Sequence, residues 1–237
     1  MSQAGKRVAC EIDAQGKSSR EINGEIKALI AGNEKDIRVL RPEARHNLGV
    51  GIITPVSITF EGSVGYYCGG LMDGPALEVH GSAGWGLGES MKSGTIRVKG
   101  NAGNSCAASM RGGCIIVNGS VGARAGIGMK GGVLVVEGDC GYMTGFMMQK
   151  GTIIICGNAG PALADSMYEG VVFVSGAIES LGNDAIIKEP DEQDRAFLKE
   201  NLAHGDISCA RVFKKVISGR RLWNFDKQEM DIWKEAL

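Results

Sequence analysis

The sequence predicts an all-β solenoid, namely a right-handed parallel β-helix of 19-residue coils with short flanking α-helices. A glycine returns every nineteen residues, a methionine follows each glycine at one offset, and every unit closes on alternating aliphatic residues. The glycines are Gly62, Gly81, Gly100, Gly119, Gly138 and Gly157, and the methionines are Met72, Met91, Met110, Met129, Met148 and Met167. A strict period across residues 62–175 indicates one structural unit copied six times.

Within one unit, counted from its first glycine, positions 16 and 18 are always aliphatic. This period of two is typical of a strand with one buried face. Nineteen glycine-rich residues are too few for a helical hairpin, so each unit is predicted to form one coil. Coils that stack at the inter-strand spacing of about 4.8 Å would give a column about 29 Å long. Parallel crossovers are almost always right-handed, which sets the predicted hand.

Glycine also fills position 4 of every unit, and we interpret these residues as the structural corners of the coils. They are Gly65, Gly84, Gly103, Gly122, Gly141 and Gly160. A sharp corner needs a positive φ or a backbone packed closely on the next coil, and a Cβ would obstruct either. The methionines have two interpretations, a core ladder or a soft-metal site for Cu(I). Since no His or Cys accompanies them at a fixed offset, the core is favoured.

The chain is predicted to form a single domain over residues 1–237, with the six coils at 62–175. Residues 1–61 would supply an N-terminal helix and a cap for the column, because an open end would expose unpaired strand edges. Ser18 and Glu21 form a candidate capping box at the start of that helix. Four aliphatic or aromatic residues indicate degenerate strands that begin the stack: Ile37, Val39, Ile58 and Phe60.

After the coils, residues 176–237 are predicted to form a closing segment, a second helix and a docking tail. The helix would begin at Pro190 and end at Gly205, with Phe197, Leu198 and Leu202 on one side. The tail carries aromatic residues that suggest docking on another surface, among them Trp223 and Trp233.

The composition and charge of the chain limit the classes of function that it can have. A chain of 237 residues with 43% apolar content can bury one continuous core. Its formal net charge of −1 gives no long-range attraction to nucleic acid or to a membrane surface. No apolar run reaches the roughly eighteen residues of a membrane span, and no signal-peptide pattern is present. Seven cysteines without a CxxC pair indicate reduced thiols, so we expect a cytoplasmic protein.

The residues give little sign of chemistry. The three histidines are scattered, and no HExxH, GxSxG or P-loop pattern occurs. Strings that resemble GxGxxG lie inside the repeats and do not link a strand to a helix, which a dinucleotide site requires. We therefore predict no catalytic residue, no cofactor site and no metal site in this chain.

Two rows of residues on the outside of the coils are candidate partner interfaces. Position 17 lies between two buried positions and should face outward, yet in the last four coils it is apolar. These residues form the apolar stripe: Ile116, Val135, Ile154 and Phe173. Either a partner or the chain's own helix near residues 191–203 must cover it. Position 12 carries Lys92, Arg111 and Lys130 in successive coils, which either meet an anionic surface or splay apart in solvent.

Four segments carry a resemblance to a known family. They are GSVGYYCGGLMDG at 62–74, GWGLGESMKSG at 84–94, ARHNLGVGI at 44–52 and SLGNDA at 180–185. They resemble the GXGXG domain, the right-handed β-helix that closes the large subunit of glutamate synthase, over about residues 18–225. The same fold occurs as a free subunit of about this length in N-methylglutamate synthase (methylamine–glutamate N-methyltransferase) and in formylmethanofuran dehydrogenase. ARHNLGVG and GYYCGGL are most similar to the glutamate-synthase-like subunit of N-methylglutamate synthase.

The resemblance implies a non-catalytic structural subunit of a heteromeric complex. Its implied partners are a glutamine-amidotransferase-like subunit and an FMN-binding, glutamate-synthase-like subunit with an iron–sulfur cluster, which the β-helix holds in register. The implied reaction forms N-methylglutamate and ammonia from methylamine and glutamate. Two related alternatives stay open, a split subunit of an ammonia-assimilating glutamate synthase and a protein like the β-helical subunit of formylmethanofuran dehydrogenase. A self-standing scaffold without partners is the alternative from another class.

Overall fold

One continuous sheet dominates the computed structural model, which describes residues 9–207 and 212–220. Within these residues, eleven strands and two helices occur. In chain order they are β1 (Cys10–Asp13), α1 (Ser19–Ala31), β2 (Asp36–Leu40), β3 (Ser57–Glu61), β4 (Asp73–Val79), β5 (Ser93–Val98), β6 (Cys114–Val117), β7 (Lys130–Val136), β8 (Lys150–Ile155), β9 (Val171–Val174), β10 (Ala185–Lys188), α2 (Glu192–His204) and β11 (Lys214–Ser218).

Strands β1 to β9 are parallel, and each is hydrogen-bonded to the next in sequence order. In the coils the paired residues lie nineteen apart, as for Ile96, Ile115 and Leu134. A second line of parallel bridges runs through position 3, from Val64 and Ala83 onward. The parallel β-solenoid predicted from the period is therefore confirmed, with position 16 and position 18 side chains buried inside it.

The methionine ladder lies in the core. All six side chains are buried beside the aliphatic residues of positions 16 and 18. A thioether that is enclosed by hydrocarbon fills the irregular space inside a narrow coil. The core interpretation of this ladder is confirmed.

Both ends of the column are built from chain outside the six coils. The degenerate strands predicted in the N-terminal segment are β2 and β3, and β1 adds one further parallel strand. Helix α1 begins at the predicted capping box, in which the Ser18 hydroxyl accepts from the Glu21 amide and the Glu21 carboxylate accepts from the Ser18 amide. Its residues Ile22 and Ile26 are fully buried against the column.

At the other end, β11 runs antiparallel between β9 and β10. The bridges at Ile178 and Leu181 show that a further parallel coil begins after residue 175. That coil then departs from the pattern, because β11 takes the place beside β9 where the next parallel strand would lie. The antiparallel pair therefore ends the repeat.

The coils turn through a regular backbone pattern. In all six, positions 6, 8 and 10 have φ between 52° and 76°. Position 8 is always Gly or Ala, whereas positions 6 and 10 also hold large residues such as Tyr67, Leu71 and Arg124. Left-handed backbone is costly for residues with a Cβ, so this alternation is the coil's main departure from relaxed geometry.

The corner glycines at position 4 meet a different requirement. Their φ angles are not positive, but a Cβ on Gly122 would lie 2.8 Å from the Asn104 nitrogen and 2.9 Å from the Gly103 carbonyl carbon. The other position-4 glycines face the preceding coil in the same way. Close contact between coils, and not the turn itself, demands glycine here.

A polar ladder accompanies these glycines at position 2. Its members are Ser63, Ser82, Asn101, Ser120, Asp139 and Asn158. Each side-chain oxygen accepts a hydrogen bond of 2.6 to 3.1 Å from the backbone N–H of position 2 in the following coil. The ladder satisfies donors that coil stacking leaves without a main-chain partner. In the part of the chain that the structure describes, no helix is long and apolar enough to cross a bilayer.

Candidate partner-binding surfaces

The apolar stripe is covered by the chain itself. Ile116, Val135 and Ile154 are fully buried, and Phe173 is almost so. They form a second apolar core with four residues from the C-terminal part of the chain: Leu198, Leu202, Ile207 and Phe213. The partner-interface prediction for Ile116, Val135, Ile154 and Phe173 must therefore be corrected. Position 17 does face outward from the coil. The stripe is nevertheless shielded from solvent by α2 and the residues after it, which was the second of the two coverings considered from the sequence.

Two polar contacts fix α2 on this stripe. Arg97, at position 17 of the second coil, donates to the carbonyl oxygens of Gly205 and His204 at 2.7 and 3.0 Å. These carbonyls end the helix, where a cation is favoured. Near the other end, the Lys215 ammonium lies 2.7 Å from the Asp194 carboxylate, and both side chains are largely buried. Nothing local in the sequence marks this contact of Arg97 with residues more than a hundred positions away.

Replacing Arg97 by Met should loosen α2 and leave the coils intact. The change keeps the side-chain length but removes both donors, and we expect it to destabilise the docked helix by about 1 kcal/mol. Hydrogen exchange should then speed up in peptides from residues 192–207 and stay unchanged in coil peptides. Arg124→Met is the matched control, since Arg124 is exposed and makes no side-chain hydrogen bond among the described residues. Equal exchange in parent and Arg97→Met would contradict this role.

The predicted cationic residues do lie in one row. Lys92, Arg111 and Lys130 are all exposed, and the amide of each bonds to a methionine carbonyl of the preceding coil at 2.7 to 2.9 Å. Their Cα atoms are therefore stacked at about the 4.8 Å strand spacing. Lys150 continues the row, because a register shift pairs it with Lys130 although it occupies position 13. We call these four residues the basic row.

No member of the basic row forms an ion pair with a described residue. Four like charges at this spacing repel one another, which solvent and salt weaken but do not remove. An anionic surface placed along the row would relieve that repulsion. Trp223 and Trp233, the two predicted anchors of the tail, lie outside the described residues.

The ionisable groups elsewhere form structural contacts. Arg38 binds both Glu11 and Glu61, and the Glu61 carboxylate also lies 2.8 Å from His80. The hydrogen bond from Arg38, followed by that from His80, holds the pKa of Glu61 below its usual value. Burial raises the pKa of the Cys68 thiol, and likewise of the Cys106 thiol, to about 12, so both are poor nucleophiles near neutral pH. Among the described residues, no group of three His, Cys, Asp or Glu side chains could hold a metal ion.

Known proteins share both the sequence pattern and the fold. Protein GlxC of Rhizobium meliloti (strain 1021) is 40% identical over 70 residues, which is 29% of this chain and 31% of GlxC. The match thus spans about a third of that relative. A chain of the formyltransferase/hydrolase complex (FhcABCD) from Methylorubrum extorquens, solved with methylofuran, has a similar fold. Its TM-score is 0.54 at 21% identity, covering 87% of this chain and 88% of that chain.

A family model defined by the GXGXG motif matches residues 44–202, which is more than half of the chain and includes all six coils. The matched range also contains the N-terminal ARHNLGVGI segment and most of α2. The chain therefore belongs to the GXGXG motif family.

Proposed function

We propose that this chain is the non-catalytic solenoid subunit of a glutamate-synthase-like complex, and specifically of an N-methylglutamate synthase. In that assembly it holds a glutamine-amidotransferase-like subunit and an FMN-binding, glutamate-synthase-like subunit at a fixed separation. FMN and an iron–sulfur cluster belong to the partner. The observation that carries the proposal is the family match, which extends over the whole repeating column.

The shape of the chain supports this role. A stack of six coils is about 29 Å long and is held by parallel hydrogen bonding along its whole length. Hydrogen bonding between every pair of neighbouring coils, together with α2 packed along the outside of several of them, should limit bending of the column. A rigid spacer of this kind needs no reactive group of its own. The partners supply the chemistry, and the column sets their distance.

One of the two similar proteins supports an assembled state. The structural neighbour belongs to a complex with several named subunits, and the superposition covers nearly all of both chains. The similarity to GlxC covers less than a third of this chain but has higher identity. We infer from the structural neighbour that this chain also works inside a heteromeric complex.

Purification from native cells tests the proposal. An affinity-tagged chain should bring down two further subunits in fixed ratio, and the eluate should have a flavin absorption spectrum. With methylamine and glutamate it should form N-methylglutamate and release ammonia. Glutamate formation from ammonia donors alone would favour the ammonia-assimilating alternative. A chain that elutes alone as a monomer, or that shows turnover by itself, would overturn the subunit role.

Charge reversal in the basic row should weaken assembly without unfolding the column. Arg111→Glu places a carboxylate between Lys92 and Lys130. The new carboxylate would attract these two lysines and repel an acidic partner. We expect about a tenfold weaker association at low salt, and a smaller difference at high salt, by surface plasmon resonance with the copurified subunits. Lys27→Glu on α1 is the matched control, since Lys27 is also exposed and forms no ion pair with a described residue. A drop in the melting temperature of the isolated chain would instead make the row structural.

A further inference from the structure

An exposed apolar patch lies at the start of the column. Tyr66, Tyr67, Leu71 and Trp85 come from the first two coils, and each of these residues is between 40% and 59% exposed to solvent. We call these four residues the aromatic patch. The equivalent positions of the third coil hold Asn104, Ser105 and Ser109, so the coil itself does not require large apolar side chains there. Clustered exposed aromatics are typical of protein interaction sites.

Two rings of the patch are held rigidly. The Tyr66 ring stacks on His46 with centroids 4.4 Å apart, and Trp85 stacks on Tyr66 with centroids 5.3 Å apart. Nδ1 of His46 accepts a hydrogen bond of 2.9 Å from the Tyr66 amide, which orients the imidazole beneath the stack. Rings fixed before binding lose little conformational entropy when a partner contacts their edges.

The other two members occupy strained backbone. Tyr67 has a φ of 59° and Leu71 a φ of 58°, a region that disfavours bulky residues. In the second coil these same positions are Gly86 and Ser90. The strain is not offset within the chain by burial, since both side chains are exposed. The left-handed backbone itself is common to all six coils, and the second coil forms it with smaller residues, so the fold does not require large apolar side chains at positions 67 and 71.

Tyr67 and Leu71 also border a cleft of about 330 Å³, which Val50 and Glu89 help to line. A Cβ on Gly86 would lie 2.8 Å from the Tyr67 ring and 3.2 Å from the Glu89 carboxylate, so these two groups approach each other across the glycine. Glu89 has no ion pair with any described residue. The cleft thus presents an apolar slot beside one uncompensated negative charge.

We propose that the aromatic patch is the docking surface for a protein subunit that inserts an apolar side chain between Tyr67 and Leu71 and places an Arg or Lys at Glu89. The inference rests on the proposed function, because it assigns one partner of that complex to the first two coils. It also separates this contact from the basic row, which would favour an acidic surface. One column then carries two surfaces that prefer partners of opposite charge, which would orient two different subunits unambiguously.

The test uses the full chain and the subunits that copurify with it. The double variant Tyr67→Gly, Leu71→Ser copies the residues of the second coil, so the isolated chain should melt at the parent's temperature or above. Its affinity for one copurified subunit should fall about thirtyfold, as expected for loss of central anchors. Glu89→Gln should weaken the same subunit and reduce the salt dependence of its binding. Met147→Ser is the matched control, being exposed and left-handed at the same coil position four coils away.

The outcomes separate the two proposals. A complex that forms with unchanged affinity for the double variant overturns the docking surface and leaves the subunit role standing. Equal loss in the Met147→Ser control also overturns it, because the effect would not be local to the patch. A parent chain that is dimeric by light scattering, with a monomeric double variant, would assign the patch to a second copy instead. Failure to recover any subunit contradicts the proposed function and this inference together.

Discussion

Gly122→Val should abolish folding of the isolated chain. The added Cβ would lie within 3 Å of the Asn104 nitrogen and the Gly103 carbonyl carbon, which are backbone atoms of the preceding coil. Those atoms cannot move aside alone, because Gly122 itself donates a 3.0 Å hydrogen bond to Ala102 across the same junction. Relief would require the two coils to separate, so we expect a loss of about 4 kcal/mol or more.

Thermal unfolding followed by circular dichroism, together with the soluble yield, would measure this loss. Gly128→Ser is the control, because Gly128 sits at position 10, where other coils already carry serine with a positive φ. The nearest atom to a Cβ there is the Ser109 hydroxyl oxygen at 3.6 Å. That variant should lose no more than about 1 kcal/mol. A Gly122→Val protein with the parent's melting temperature would show that the coils are not packed as described.

The second large effect is expected at Ile154, in the middle of the apolar stripe. Ile154→Ala should destabilise the isolated chain by about 2 to 5 kcal/mol, since it leaves a cavity under α2 where the side chain is now fully buried. Urea unfolding gives the free energy directly. If the stripe were instead an open surface awaiting a partner, the same truncation would cost well under 1 kcal/mol in the isolated chain.

Glu78→Ala provides the comparison for Ile154. Glu78 occupies position 17 of the first coil, where its carboxylate pairs with Lys99 at 3.1 Å and remains partly exposed. It lies outside the second apolar core. Truncation there should cost no more than about 1 kcal/mol, as is usual for an exposed ion pair. Similar costs at the two positions would contradict the covering of the stripe by α2.

The fold was predictable from the sequence because its information is repeated. The same glycine, methionine and aliphatic positions recur in each coil, so a single exception such as Pro75 at position 14 does not hide the period. Both helices were predictable from local signals, since Ser18 and Asp191 each begin a capping box. Strand β11 gave no such signal. Its first three residues pair antiparallel with β9 across forty or more positions of sequence, and only the assembled column provides that partner.

The surfaces were less predictable for a related reason. Position 17 was correctly assigned to the outside of the coil, but whether α2 or another protein covers it depends on tertiary docking. Arg97 and Lys150 owe their roles to a distant helix end and to a register shift, respectively. The left-handed residues at positions 6 and 10 vary freely in type, from Gly86 to Arg124, and so leave no pattern to detect. Of the three left-handed positions, only position 8 has a recognisable sequence pattern, because it is Gly or Ala in all six coils.

The uniformity of the coils has a consequence for how such subunits can diverge. Every pair of neighbouring coils has left-handed residues at positions 6, 8 and 10 and the same polar contact at position 2. Any two coils therefore have compatible backbones where they stack. Deleting or duplicating one unit would rejoin the chain without a new type of interface. In the proposed complex, the gap between two subunits bound at different coils would then change only in increments of about 4.8 Å, a step size that is fixed by the main chain and independent of side-chain identity.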